Sequence, residues 1–174
     1  MTSTDTSGRA EVRVAPATTD DDWAHAKRLT GELVRWLAET LALDARVHQH
    51  DSNAELDSLA TFYTPPRGEM LLGYVGGMPC GTSGVFMMDG STAELRRVWI
   101  TPAARGHRLA PVLLRTAIES ARRMGARRMW LETAEGHMDK AIAMYRRAGF
   151  RPVPAYSSLP DSIPNILTLG LELS

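Results

Sequence analysis

The sequence predicts a single α/β domain with a mixed central sheet of about six or seven strands flanked by about four helices. Three observations predict it. From Met70 to Ile100 three apolar strand-like runs are joined by Gly76-Gly77 and Asp89-Gly90, the pattern of an antiparallel meander. Between Thr92 and Thr133 a strand, a helix-period stretch and a further strand follow one another, which predicts a parallel, right-handed crossover. A length of 174 residues suits one domain and buries a sufficient core without disulfides or metals.

Each element has a local cause. Glu11–Pro16 reads as a short strand, and Thr18-Thr19-Asp20-Asp21-Asp22 supplies an N-cap and acidic first turn for a helix carrying Trp23, Ala26, Thr30, Leu33, Val34, Leu37 and Leu41 at helical spacing. Ser52-Asn53-Ala54-Glu55 is a capping box opening a second helix through Leu56, Leu59 and Phe62, closed by Pro65-Pro66-Arg67-Gly68. After the meander, Leu109, Val112, Leu113, Ala117, Ala121 and Met124 form the inward face of a third helix that stops at Gly125. Met129–Thr133 is a strand, Met138–Ala148 a fourth helix with Tyr145 on its apolar face, Phe150–Val153 a short strand, and Ile166–Leu173 a strand with alternating leucines.

Composition narrows the function. With 44% hydrophobic and 23% charged residues the chain is neither disordered nor fibrous. There is no uncharged apolar run of about 18 residues, and Met1–Ala10 is polar. The expectation is a cytoplasmic protein with no membrane association, residues 1–10 forming a flexible tail and 11–174 the domain. The single Cys80 excludes an internal disulfide or a multi-cysteine zinc site and reads as a packed strand residue. His48, His50 and Asp51 read as exposed loop residues, so no metal is expected. The formal charge is zero, but residues 94–151 hold twelve Arg and one Lys against five acids, a net +8 that leaves −8 elsewhere. Such a block suits a solvated face, a nucleic-acid patch or a polyanionic small molecule. Arg122, Arg123, Arg127 and Arg128 lack interleaved aromatics to stack bases, so no nucleic acid is expected. The acidic remainder leans toward a cationic small acceptor.

The informative junction is a strand, an Arg-Gly-rich loop and a helix start, where free backbone N–H groups and the helix dipole suit a phosphate. The run Glu94–Ala110 (Glu-Leu-Arg-Arg-Val-Trp-Ile-Thr-Pro-Ala-Ala-Arg-Gly-His-Arg-Leu-Ala), followed by Leu131-Glu132-Thr133 and by Met138–Phe150 ending in Tyr-Arg-Arg-Ala-Gly-Phe, resembles the GCN5-related N-acetyltransferase (GNAT) superfamily. The resemblance covers about residues 69–173, and residues 11–63 match the family's usual opening strand and two helices. It implies an acyltransferase that uses acetyl-CoA as co-substrate and acetylates a primary amine of a metabolite, amino acid or antibiotic by direct attack in a ternary complex.

By that resemblance, Arg105, Gly106, His107, Arg108, Leu109 and Ala110 hold the pyrophosphate, with Arg108 standing where the family has glycine. Val98 and Ile100 lie along the pantetheine arm, Glu94 deprotonates the amine, and Tyr145 protonates the departing thiolate. Met138 replaces a frequent Asn. A homodimer is compatible with the resemblance, and a non-catalytic acyl-CoA sensor of the same fold is the alternative. The residues also allow plainer readings: Tyr145 as core, Glu94 as an ion-pair partner of Arg96, and Trp36, Tyr63 and Tyr156 as core or as the acceptor-pocket border.

Overall fold

Helix α1 (Asp20–Thr40) begins where the sequence sets it. The Asp22 N–H donates to the Thr19 hydroxyl at 3.2 Å, and the Asp22 carboxylate accepts from the Thr18 and Thr19 N–H groups at 3.0 Å, closing a capping box. The computed structural model describes residues 10–41, 55–156 and 165–173. The expected tail apart from Ala10, the His48, His50 and Asp51 cluster, and Ser52 of the second capping box lie outside these residues.

Seven strands form one sheet: β1 (Val12–Pro16), β2 (Gly68–Val75), β3 (Met78–Met87), β4 (Thr92–Ile100), β5 (Arg128–Ala134), β6 (Arg151–Pro152) and β7 (Ile166–Glu172). Residues 55–57 are helical, and the chain continues into the single turn α2 (Leu59–Phe62); the later helices are α3 (Leu109–Arg123) and α4 (Asp139–Arg147). The strand order is β1-β2-β3-β4-β5-β7-β6. Every neighbouring pair is antiparallel except β4 and β5, so the meander and the parallel crossover are both present. The last strand enters between β5 and the two-residue β6. Pro152 has no N–H to give a ladder, which confines β6 to an edge and leaves the interior to the leucine-rich β7.

Alternation along the strands divides the core in two. Leu71, Val85, Ala93, Leu95, Met129, Leu131 and Leu169 pack with Leu113 and Ala117 of α3 and with Tyr145 and Phe150 at α4. On the other face Met70, Leu72, Tyr74 and Trp99 meet Leu29 and Leu33 of α1, together with Leu59 and Tyr63. The first residue of α3 is drawn onto the sheet because glycines lie beneath it. A Cβ at Gly73 would fall 2.8 Å from Leu109 Cδ1, and one at Gly81 2.8 Å from Leu109 Cδ2. Leu109 is fully buried in the space they leave, which fixes the height of the helix start above the sheet.

Candidate active site

The sheet opens between β4 and β5. Their parallel ladder comprises Thr92↔Arg128, Ala93↔Met129 and Glu94↔Trp130, although β4 runs on to Ile100 and β5 to Ala134. Two features keep the strands apart. β5 is paired along its whole length to β7. β4 carries a bulge, because Gly84 faces Arg96 and Thr82 faces Trp99, leaving Arg97 and Val98 opposite Ser83 alone. Arg97 takes φ 54°, an uncommon conformation for a residue with a Cβ. Beyond Glu94, β4 has no ladder with β5, so backbone groups on that side are available to a ligand.

At the C-terminal end of β4 a turn at Pro102–Ala104 leads to the start of α3. Gly106 has φ 91°, and the N-cap Arg108 has φ 60° and ψ 22°. Arg108 therefore adopts the left-handed conformation that glycine takes freely, at a cost of about 1–2 kcal/mol. No side chain among the described residues caps α3, so the first N–H groups of the helix are without an intrahelical partner, and Pro111 has none to offer. A cleft of about 740 Å³ lies here, lined by Ala10, Glu11 and Val12 on one side and by Gly106, His107, Arg108 and Val112 on the other.

The structure thus brings Gly106, His107 and Arg108 together and exposes them, while the Leu109 side chain is core and Ala110 is half-buried. Arg105 stands aside, its guanidinium 5.5 Å from the centre of the Trp99 ring. Val98 and Ile100 pack, half-buried, on the α3 and α4 side. Met138, the N-cap of α4, accepts a contact from the Thr133 hydroxyl at 3.5 Å on its sulfur.

Tyr145 and Glu94 lie on opposite faces of the sheet. Tyr145 is buried on α4 beside Phe150, the ring centres 5.8 Å apart. Burial pushes its phenol above the ordinary range, so the group stays protonated through neutral pH. Glu94 alternates with the core residues Ala93 and Leu95 and so points to the α1 face. Its Oε2 accepts from Arg96 Nε at 2.6 Å, and its Oε1 accepts from the Tyr156 hydroxyl at 2.9 Å. The plain reading of an Arg96 ion pair is present, and a second partner joins it. Tyr156 also lies against Trp130, 5.1 Å between ring centres. Desolvation, then the charge and hydrogen bond of Glu94, and then the charge of Glu132, push the Tyr156 phenol upward.

Next to this pair lies a second one that local sequence patterns do not indicate. Glu55, read as a capping-box residue, turns its carboxylate to the interior. Its Oε1 accepts from Arg97 Nε at 3.1 Å and from the Tyr63 hydroxyl, and its Oε2 accepts from Arg97 Nη2. Desolvation alone would raise the Glu55 carboxyl; the Arg97 hydrogen bond and charge and the Tyr63 hydroxyl reverse this and hold it below its ordinary value. Gly84 makes room for the Tyr63 ring, since a Cβ there would fall 2.6 Å from Tyr63 Cε1. The signal available in the sequence is Tyr63 and Tyr156 as border residues; the Tyr156–Glu94 and Arg97–Glu55 pairings lie too far along the chain for periodicity to report.

Comparison with known proteins agrees with this geometry. The model of the Acetyltransferase (GNAT) family matches residues 32–150. The chain is 31% identical over 124 residues to the uncharacterized N-acetyltransferase YjgM of Escherichia coli, covering 70% of this chain and 74% of that protein. In fold it is similar to an acetyltransferase of the GNAT family from Staphylococcus aureus, with TM-score 0.72 and 16% identity over 94% of this chain and 100% of the other. It is also similar to yncA of Salmonella typhimurium, solved with its cofactor acetyl-CoA, with TM-score 0.69 and 18% identity over 94% of each chain. An opened parallel pair with an uncapped helix at its mouth, on a chain matched by that family over most of its length, identifies this protein as an acyltransferase of the acetyltransferase (GNAT) family.

Proposed function

We propose that the protein moves the acetyl group of acetyl-CoA to a primary amine of a small molecule, by direct attack within a ternary complex. The observation that carries this reading is the opening between β4 and β5, with a protonated phenol on one face and a carboxylate on the other. The start of α3 fits the co-substrate's phosphates. It offers N–H groups without intrahelical partners, the positive end of the helix dipole, and His107 and Arg108 beside Gly106. Val98 and Ile100 lie along the opening, where backbone groups of β4 can bond an amide-bearing arm as a strand would.

Acetyl-CoA, when bound, supplies a thioester carbonyl carbon and a thiolate leaving group. The acceptor ammonium loses one proton before its nitrogen bonds to that carbon, the sulfur is displaced, and the nitrogen gives a second proton to solvent as the amide forms. Glu94 accepts the proton from the ammonium, the amine taking the place that the Tyr156 hydroxyl occupies on Oε1. Tyr145 gives its proton to the sulfur as the C–S bond breaks and regains one from solvent after product leaves. The products are the amide, the free thiol and one released proton.

The test is calorimetric titration with acetyl-CoA, with dephospho-CoA as control, followed by thiol release with an amine panel. Binding near one per chain is expected. Tyr145→Phe is expected to lower turnover at least tenfold, in line with the usual size of acid catalysis, while leaving acetyl-CoA affinity within about twofold. Equal turnover in that variant removes the assigned role. Tight binding without thiol release across the panel would instead assign a non-catalytic acyl-CoA sensor.

A further inference from the structure

We propose that the acceptor carries its own carboxylate, as a free α-amino acid does, and that Arg96, assisted by Arg67, reads it. This rests on the acetyl-transfer reading above. The bulge in β4 turns two consecutive arginines to one face of the sheet, where regular alternation would send them to opposite faces. They are used differently. Arg97 spends Nε and Nη2 on the two oxygens of Glu55 and has its side chain 19% exposed. Arg96 brings Nε and Nη2 to a single oxygen, Oε2 of Glu94, and stays 33% exposed. Its Nη1 makes no hydrogen bond to a described residue.

The Arg96 guanidinium lies 4.7 Å from the centre of the Phe86 ring, and Phe86 is the cross-strand neighbour of Glu94. Arg67 shares the same ring at 5.7 Å and also lies 5.1 Å from Phe62. Arg67 is exposed and pairs with no carboxylate among the described residues. Glu94 is thus paired with an arginine that keeps Nη1 free of described partners, a second arginine lies over the neighbouring Phe86 ring, and an anion placed beside Arg96 would be held by charge-assisted hydrogen bonds. The ammonium of the same molecule would sit on Glu94. In an α-amino acid the nitrogen and carboxyl carbon are about 2.5 Å apart. One such molecule can therefore present its ammonium to Oε1 of Glu94 and its carboxylate to the outer edge of the Arg96 guanidinium, which is bonded to Oε2 of the same Glu94. A diamine would place its second cation against Arg96 and Arg67 and be rejected. The acidity of the chain outside residues 94–151, which from the sequence favours a cationic acceptor, therefore does not describe this end of the sheet.

The experiment is thiol release from acetyl-CoA by the wild-type protein with the twenty protein amino acids, the matching amino-acid amides, and putrescine. At least one amino acid is expected to be acetylated with kcat/KM tenfold or more above its amide. Arg67→Ala, a surface change that leaves the core intact, is expected to reduce that ratio several-fold through KM, and Arg96→Gln to abolish it. Amides or putrescine that react as well as the acids would overturn the inference and leave acetyl transfer standing. An acid preference unchanged in both variants would overturn it equally. No thiol release from any compound, with acetyl-CoA bound, would remove the acetyl-transfer reading and this inference together.

Discussion

Replacing Gly73 by alanine tests whether the buried start of α3 controls the co-substrate site. The new Cβ would sit 2.8, 2.9 and 3.1 Å from Leu109 Cδ1, Cδ2 and Cγ. Ordinary carbon contacts begin at about 3.5 Å, so Leu109 must retreat by about 0.7 Å. The branch carbon is among the clashing atoms, so rotating the two methyl groups does not clear the conflict. The first turn of α3 has to lift. Overpacking of this size costs about 1–3 kcal/mol, and alanine returns about 0.4–1 kcal/mol by restricting the unfolded chain. Gly73 does not occupy a positive φ, so alanine adds no backbone strain. The net loss should be about 1–2 kcal/mol, read from the urea midpoint at unchanged m-value. Lifting the N–H groups away from a bound phosphate should weaken acetyl-CoA about tenfold by calorimetry, the size of losing one charge-assisted hydrogen bond. Because Leu109→Ala removes the atoms that the new methyl strikes, the stability loss of the double variant should be smaller than the sum of the two single losses. Wild-type stability and affinity in Gly73→Ala, or strict additivity in the double variant, would refute the argument.

Three further outcomes follow from the geometry. Arg108→Gly should raise stability by about 0.5–1 kcal/mol, since glycine takes φ 60° without strain but frees the unfolded chain, and a lowered urea midpoint would contradict this. Arg97→Ala should cost about 3 kcal/mol or more, because Glu55 would stay buried without its cation; a loss under 1 kcal/mol would mean that the pair is dispensable. Asp22 is held at about pKa 2, below its ordinary 3.8, first by the Thr19 N–H and then by the Thr18 N–H, so the unfolded chain binds its proton more readily. The stability difference between wild type and Asp22→Asn should therefore be constant above about pH 5 and shrink as pH falls from about 4 toward 2. A difference independent of acidification would show that the capping box works without its charge.

What could be read from the sequence was whatever is decided locally. Gly76-Gly77 and Asp89-Gly90 mark their turns by residue type, Thr19 and Asp22 mark a helix start three positions apart, and Tyr145 is placed by its fixed distance from Gly149 and Phe150. The entry of β7 beside β5 depends on pairings more than thirty residues apart, such as Leu131↔Leu169, so no window of sequence contains it. The bulge left no trace either, because an arginine, and not a glycine, occupies its left-handed position at residue 97. The same holds for Glu94 with Tyr156, which are 62 residues apart, and for Glu55 with Arg97, which are 42 apart. A Glu three residues after a Ser is a capping signal, and nothing in that local pattern reports that the Glu55 carboxylate also neutralises a buried guanidinium 42 residues on.

The three-residue ladder between β4 and β5 has a mechanical consequence. Strands β1 to β4 and strands β5 to β7 are two plates that share only a short seam, while each plate is laced along its length. A molecule that bonds both lips of the opening acts as a removable rivet, and the stiffness of the whole sheet then varies with its concentration. Amide exchange should register this as two cooperative units when the rivet is out and a single one when it is in.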